Sequence, residues 1–309
     1  MLFGFIRSDF GLDTSKVPAT MVVAVGGENF ILVHDAKKVR METKSTRIKI
    51  HEIKDAAELD KEISRLRFLG VEMGNSVPRK LIEFLVGVFA YFTEKDGKLF
   101  RITASSGGFA EVYAVDVDTK ASLKLNVSIL QKQEFSVDFR FPHALDTSGQ
   151  RHRLSTHAAA RAAAWLEEVN IIFRPQLNIH FKLAGPPTEP FFNQQIVGVT
   201  SSHWDLLKEK ANPEAKTITV YLAKSIQTSD KSHPWGISLN KKSRVILLQD
   251  RTSEDELVKT LAHEFGHTLG DMKGTPVGHP GEKGDLMVSL SRFDGVRIAG
   301  ELISVLGKQ

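Results

Sequence analysis

Apolar-rich runs bounded by Gly, Asn, Asp and Ser dominate the first 130 residues and predict strands over 21–25, 30–34, 99–104, 110–117 and 122–130. Between them, Lys, Arg and apolar residues intermix over 37–53 in an extended stretch whose charge reads as a solvated sheet face. Residues 55–69 change period: Leu59, Ile63, Leu66 and Leu69 recur at helical spacing and the run stops at Gly70, the pattern of an amphipathic helix with a glycine end. A second helix begins near Pro78 and carries the apolar run 81–92. From residue 135 the order is different. A strand over 136–141 leads to a helix over 156–170. Strands follow over 178–183, 217–223, 236–239 and 244–249, and then a further helix. The change places an α+β domain of unassigned role in residues 1–134 and a second domain in 135–309, although no Pro/Gly-rich linker separates them.

Composition narrows what these domains can do. A chain of 309 residues with 41% apolar content can bury a substantial core, and its length suits two domains. Lys and Arg number 41 against 37 Asp and Glu, and the excess is shared by both halves, so neither is a basic arm and nucleic acid is excluded as the main partner. The apolar run 81–92 contains Glu83 and is far shorter than the roughly 20 residues that cross a bilayer, so no membrane span is expected. Arg7, Asp9 and Asp13 interrupt the start, which lacks a conventional secretory signal; the compartment is left as cytoplasmic or reached by an unconventional export route. The chain has no cysteine. A transition metal would therefore have to be held by His and carboxylate, and thiol chemistry is excluded.

One motif carries chemistry. His263-Glu264-Phe265-Gly266-His267 is an H-E-x-x-H pattern. On a helix, two His at i and i+4 share a face and can reach one metal, while the Glu holds a water beside it. Ser253 with Glu256 forms a capping box, Glu254 and Asp255 place negative charge at the helix start, and Gly270 suits its end. Leu257, Val258, Leu261, Ala262, Phe265 and Leu269 fall in one apolar stripe, with His263 and His267 nearly opposite. The competing reading is an incidental His pair on a solvated face. His157 and His180 read as structural, and His233 as a loop residue near a cleft.

These residues resemble the zincin metallopeptidases and, within them, the metzincins, whose pattern is H-E-x-x-H-x-x-G followed by a third ligand and a methionine turn. His263, Glu264, His267 and Gly270 match, and Gly284-Asp285-Leu286-Met287 looks like the turn. The resemblance covers about 170 residues. It implies an α+β fold: a C-terminal metzincin-like domain, with a mixed twisted sheet and an active-site helix, behind a smaller α+β domain. It also implies a Zn2+ cofactor, Glu264 as general base, and a protein or peptide substrate that pairs with the edge strand over 235–239. The family's third-ligand position holds Lys273, a poor ligand, so the spacing fails there. A longer connection delivers His279, which becomes the expected third ligand ahead of Asp271 and Glu282; a zincin pattern with a downstream helical Glu would use Glu301 instead. The expected activity is zinc-dependent endopeptidase hydrolysis. The alternatives are a zinc-binding module or an interaction protein without turnover. Substrate identity and oligomeric state are left open.

Overall fold

The computed structural model describes residues 4–5, 12–13, 18–34, 38–55, 57–61, 64, 98–212, 214, 216–239, 244–250, 253–272, 274, 278 and 286–287. They fall into two compact units, one built from Met1–Lys132 with Phe173–Asn178, the other from Gln133–Ile172 with Ile179–Val296.

The first unit is a pair of sheets made from β1 (Gly4–Phe5), β2 (Leu12–Asp13), β3 (Ala19–Ala24), β4 (Glu28–His34), β5 (Val39–Thr43), β6 (Ile48–Ile53), β7 (Lys98–Ala104), β8 (Gly108–Asp116) and β9 (Ser122–Leu130). Their orders are β1-β4-β7-β6 and β2-β3-β9-β8-β5. Every pairing is antiparallel except β3 with β9. The alternation along β8 and β9 gives each a buried and a half-exposed face. Met21, Ile31, Phe100, Ile102, Val112 and Val127, drawn from both sheets, share one core, which is how two one-sided sheets bury their apolar faces.

The second unit is organised around a five-stranded sheet. It contains β10 (Gln133–Arg140), β11 (His143–Leu145), β12 (Arg151–Arg153), α1 (Ala162–Leu177, shared with the first unit beyond Ile172), β13 (Ile179–Leu183), β14 (Phe191–Gln195), β15 (Val199–Thr200), α2 (Trp204–Glu209), β16 (Thr217–Ala223), β17 (Ile226–Gln227), β18 (Gly236–Ser238), β19 (Val245–Gln249) and α3 (Glu254–Met272). The main sheet runs β13-β10-β16-β19-β18. All pairs are parallel except β18, which lies antiparallel to β19. β16, at the centre, is buried at every position, as a parallel strand covered on both faces must be. The sheet's two edges differ. At β13, the buried Asn170 side chain donates to the Phe181 carbonyl at 2.8 Å and accepts the Phe181 N–H at 2.7 Å, so a side-chain amide satisfies that edge. At the other end stands β18, beside α3.

The expected fold class needs correction. Nineteen strands outweigh α1, α2, α3, a helical stretch at 57–61 and two 3-10 turns among the described residues, which are β-rich, and the first unit owes its core to two packed sheets rather than to an α+β arrangement. The helix expected over 78–92 and most of that over 55–69 lie outside the described residues. Small sheets formed by β11, β12 and β14 and by β15 and β17 add further strand where the sequence showed no regular period. No helix among the described residues is long and apolar enough to cross a membrane.

Candidate functional site

Helix α3 carries the H-E-x-x-H residues. Its start is set by Ser253, whose carbonyl accepts the Leu257 N–H at 3.2 Å and whose Oγ accepts that of Glu256 at 3.4 Å, with three acidic residues in the first turn. The expected apolar stripe is buried: Leu257, Leu261, Ala262 and Phe265 are fully covered. Phe265 stacks on Phe181 of β13 with ring centroids 4.3 Å apart, fixing the rotation of the helix on the sheet. The opposite face is not solvated. His263 is 1% and Glu264 3% exposed, and His267 is half-buried.

Two other elements cover that face. The Leu286 carbonyl oxygen lies 2.7 Å from His263 Nδ1. A carbonyl can only accept, so Nδ1 carries the proton and Nε2 presents a lone pair, the second contact that commonly orients a metal-binding imidazole. His267 Nε2 sits 3.1 Å from His263 Nε2, the rings meeting at 85°. Two imidazoles on one tetrahedral zinc, each at about 2.0 to 2.1 Å, place their nitrogens roughly 3.3 Å apart, so the pair fits a shared ion with little adjustment.

Glu264 packs against β18. A Cβ at Gly236 would lie 2.9 Å from Glu264 Cγ and 2.7 Å from Thr260 Cγ2. Only glycine permits this approach of strand to helix. Burial pushes the Glu264 carboxyl up to about 8. Ser238 Oγ and Thr268 Oγ1 are hydrogen-bonded at 3.1 Å.

The structure thus brings His263, Glu264 and His267 together, with the Leu286 carbonyl against His263; Leu286 and Met287, both fully buried, lie in a turn. His279, the expected third ligand, lies outside the described residues, as do Lys273, Glu282, Gly284, Asp285, Glu301 and the stretch 293–306. Asp271 is half-exposed near the end of α3. His157 packs edge-on against Trp165 at 5.2 Å, and His233 Nδ1 lies 3.0 Å from the Ile226 carbonyl oxygen. Sequence reasoning missed Gly236, Ser238 and Thr268. The one available signal was that Thr260, Glu264 and Thr268 recur at i, i+4 and i+8, a polar row along one line of the helix.

No family profile and no curated protein matches the chain. Among solved structures, domains 1–6 of the surface layer protein SbsC align with 50% of this chain and 17% of theirs, at 8% identity and a TM-score of 0.25. Domains 5–6 of the S-layer protein SbsC align with 50% of this chain and 57% of theirs, at 8% identity and a TM-score of 0.23. The cadherin-like domains 1 to 4 of zebrafish RET align over 48% of this chain and 30% of theirs, at 12% identity and a TM-score of 0.19. Such scores define no common fold. The resemblance to the metzincins, and with it the classification as a metalloprotease of that family, is corrected accordingly. The five-residue pattern is present, but no family profile extends it, and Lys273 occupies the family's ligand position. Among the described residues no group of three or more His, Asp or Glu could hold a metal.

Proposed function

We propose that His263 and His267, with His279 as third ligand, hold a zinc ion, and that the site hydrolyses peptide bonds of a protein or peptide substrate with Glu264 as the general base. The observation that carries this reading is the convergence of two Nε2 atoms at 3.1 Å, one of them fixed in its tautomer by the Leu286 carbonyl. Zinc, when bound, supplies a Lewis acid that polarises a carbonyl and acidifies water. Glu264 accepts the proton of the attacking water and passes it to the leaving amine, a two-way transfer suited to a carboxyl whose affinity for protons is raised by burial. A nearby cation lowers that affinity and restores the carboxylate needed for the first transfer. β18 ends the sheet and offers its outer edge to an extended peptide chain, the geometry of strand addition.

The alternative, a zinc that only staples the fold, gives no reason to bury an acid beside the His pair. An unpaired carboxylate there costs stability, and a closed structural site has no use for it. The test is Glu264→Gln assayed for zinc by elemental analysis and for cleavage of a peptide library. Zinc is expected to stay while hydrolysis falls by at least about 10²-fold, the lower range for loss of a general base. Activity within about tenfold of wild type, or 1.4 kcal/mol, removes Glu264 from this role.

A further inference from the structure

The first unit carries an open recess of about 570 Å³ bordered by Lys44, Ser45, Phe109, Ala110, Glu111 and Tyr113. Such a volume suits a small or short oligomeric ligand. Strand alternation explains its chemistry. Ala110, Val112 and Ala114 of β8 turn into the core, so Phe109, Glu111 and Tyr113 line up on the opposite, outer face. Phe109 is 53% exposed, a large apolar ring left in water. One exposed ring is ordinary, but this one borders a recess with a second aromatic side chain about 14 Å along the same strand face.

The turn after β5 supplies the other wall and is held by its own hydrogen bonds. Thr43 Oγ1 donates to the Glu111 carbonyl at 2.8 Å and accepts the Ser45 N–H at 3.1 Å, and Ser45 Oγ accepts the Arg47 N–H at 3.2 Å. Arg47 then reaches over Gly108, its Nη1 donating to the Gly107 carbonyl at 2.6 Å. A Cβ on Gly108 would overlap that guanidinium, and its φ of +130° is one that glycine adopts freely. Charge around the recess is uneven. Lys124 pairs with the Glu111 carboxylate, which also accepts the Tyr113 hydroxyl at 2.7 Å, while Glu42 of β5, opposite Tyr113, is paired with Arg40. Lys44 is exposed and has no carboxylate partner among the described residues. Lys44, Arg47 and Lys124 thus stand against the single carboxylate of Glu111, an excess of two positive charges.

We propose that this recess binds an acidic oligosaccharide: Phe109 and Tyr113 stack on the apolar faces of sugar rings, sugar hydroxyls donate to the remaining lone pairs of Glu111, and a uronate carboxylate meets Lys44 and Arg47. Aromatic stacking and charge-assisted hydrogen bonds supply the two kinds of contact such a ligand needs. A nucleic acid would also stack on the rings, but it carries a phosphate at every nucleotide, and like charge beside Glu111 opposes it. A saccharide that alternates charged and neutral rings presents hydroxyls there instead. The site lies within the first unit, and its binding is independent of the proposed hydrolysis.

The test titrates the full-length protein, by calorimetry and amide NMR, with an oligosaccharide of alternating glucuronate and N-acetylglucosamine, its carboxyl-reduced counterpart, oligogalacturonate, and single-stranded DNA of similar length. Wild type should bind at least one of the two acidic oligosaccharides, with shift changes centred on residues 43–47 and 107–113 and an affinity that falls with added salt. Phe109→Ala should weaken that binding about tenfold, the upper range for loss of an aromatic contact. The carboxyl-reduced ligand should bind about tenfold more weakly than its acid, and Lys44→Gln with Arg47→Gln should abolish the preference for the acid. The three positions are exposed, so an unchanged far-UV spectrum and Tm are expected in every variant. Absence of saturable binding to either acidic oligosaccharide at millimolar concentration, or binding unaffected by Phe109→Ala, overturns the site. Equal binding of the acid and its reduced form, or tighter binding of DNA, overturns the ligand class.

Discussion

Replacing Glu264 by Gln should make the metal-free protein more stable at alkaline pH, and by an amount that grows with pH. The carboxyl is 3% exposed, and burial moves it from an ordinary 4.5 to about 8. Below pH 4.5 the group is protonated in both folded and unfolded chains and contributes nothing to pH dependence. Between 4.5 and 8 the unfolded chain releases this proton while the folded chain keeps it, so the folded state binds more protons and stability falls as pH rises. Above 8 the folded protein must ionise the buried group, and the accumulated cost, at about 1.36 kcal/mol per pH unit, reaches about 5 kcal/mol. Gln has the same shape and no charge. The assay is urea unfolding of chelator-treated wild type and Glu264→Gln at pH 4.5, 6.5 and 9, followed by tryptophan fluorescence. Trp165, Trp204 and Trp235, the three tryptophans of the chain, all lie in the unit that carries Glu264, so the signal reports that unit. Other titrating groups cancel in the difference between the two proteins. The difference should widen by up to about 5 kcal/mol between pH 4.5 and 9. Parallel pH profiles would refute the reasoning, because they would mean that Glu264 is hydrated or compensated in the folded state.

Gly236→Ala tests the close packing of β18 on α3. Gly→Ala in a strand normally stabilises by about 0.4–1 kcal/mol, but the contacts at 2.7 and 2.9 Å should reverse the sign and cost about 1–3 kcal/mol in denaturant unfolding. A stabilised variant would contradict the geometry. Phe265→Ala removes the ring stacked on Phe181 and should cost about 3–5 kcal/mol, read from the same fluorescence transition; a loss under about 1 kcal/mol would mean that the helix is not seated by this contact. His279→Ala should weaken zinc binding markedly, while Asp271→Ala should leave it in place, both measured by competition with a chromogenic chelator. The reverse pattern would move the third ligand to Asp271.

Much of the second unit was legible because its elements carry local signals. The strand 217–223 coincides with β16, where seven consecutive buried positions leave an unbroken β-rich run. Ser253, the acidic first turn and the apolar stripe marked α3 with the correct start. The helix expected over 156–170 instead spans Ala162–Leu177, after a 3-10 turn at Ala159–Arg161. Its early residues are alanines, which fix no face, and it continues through Pro175 near its end, where a missing N–H removes only one hydrogen bond. The strands β11, β12, β14, β15 and β17 were not read, since they hold two to five residues each, too few to show a period, and β14, β15 and β17 pair with partners distant in sequence. The competing reading put the His pair of α3 on a solvated face; that face is buried, and one of the groups that covers it, the Leu286 carbonyl against His263, is main chain. Backbone groups are the same in every residue, so a sequence does not announce them. Gly236 was placed on the edge strand, but its role depends on Thr260 and Glu264 beyond the next strand.

The central claim is that His263 and His267 are joint ligands of one metal ion, and elemental analysis of the purified protein tests it most directly. Wild type should carry one zinc per chain, and His263→Ala and His267→Ala should each lose it while keeping the wild-type far-UV spectrum. A wild type that binds no zinc when supplied with it, or folded His263→Ala and His267→Ala variants that retain the full complement, would contradict the account.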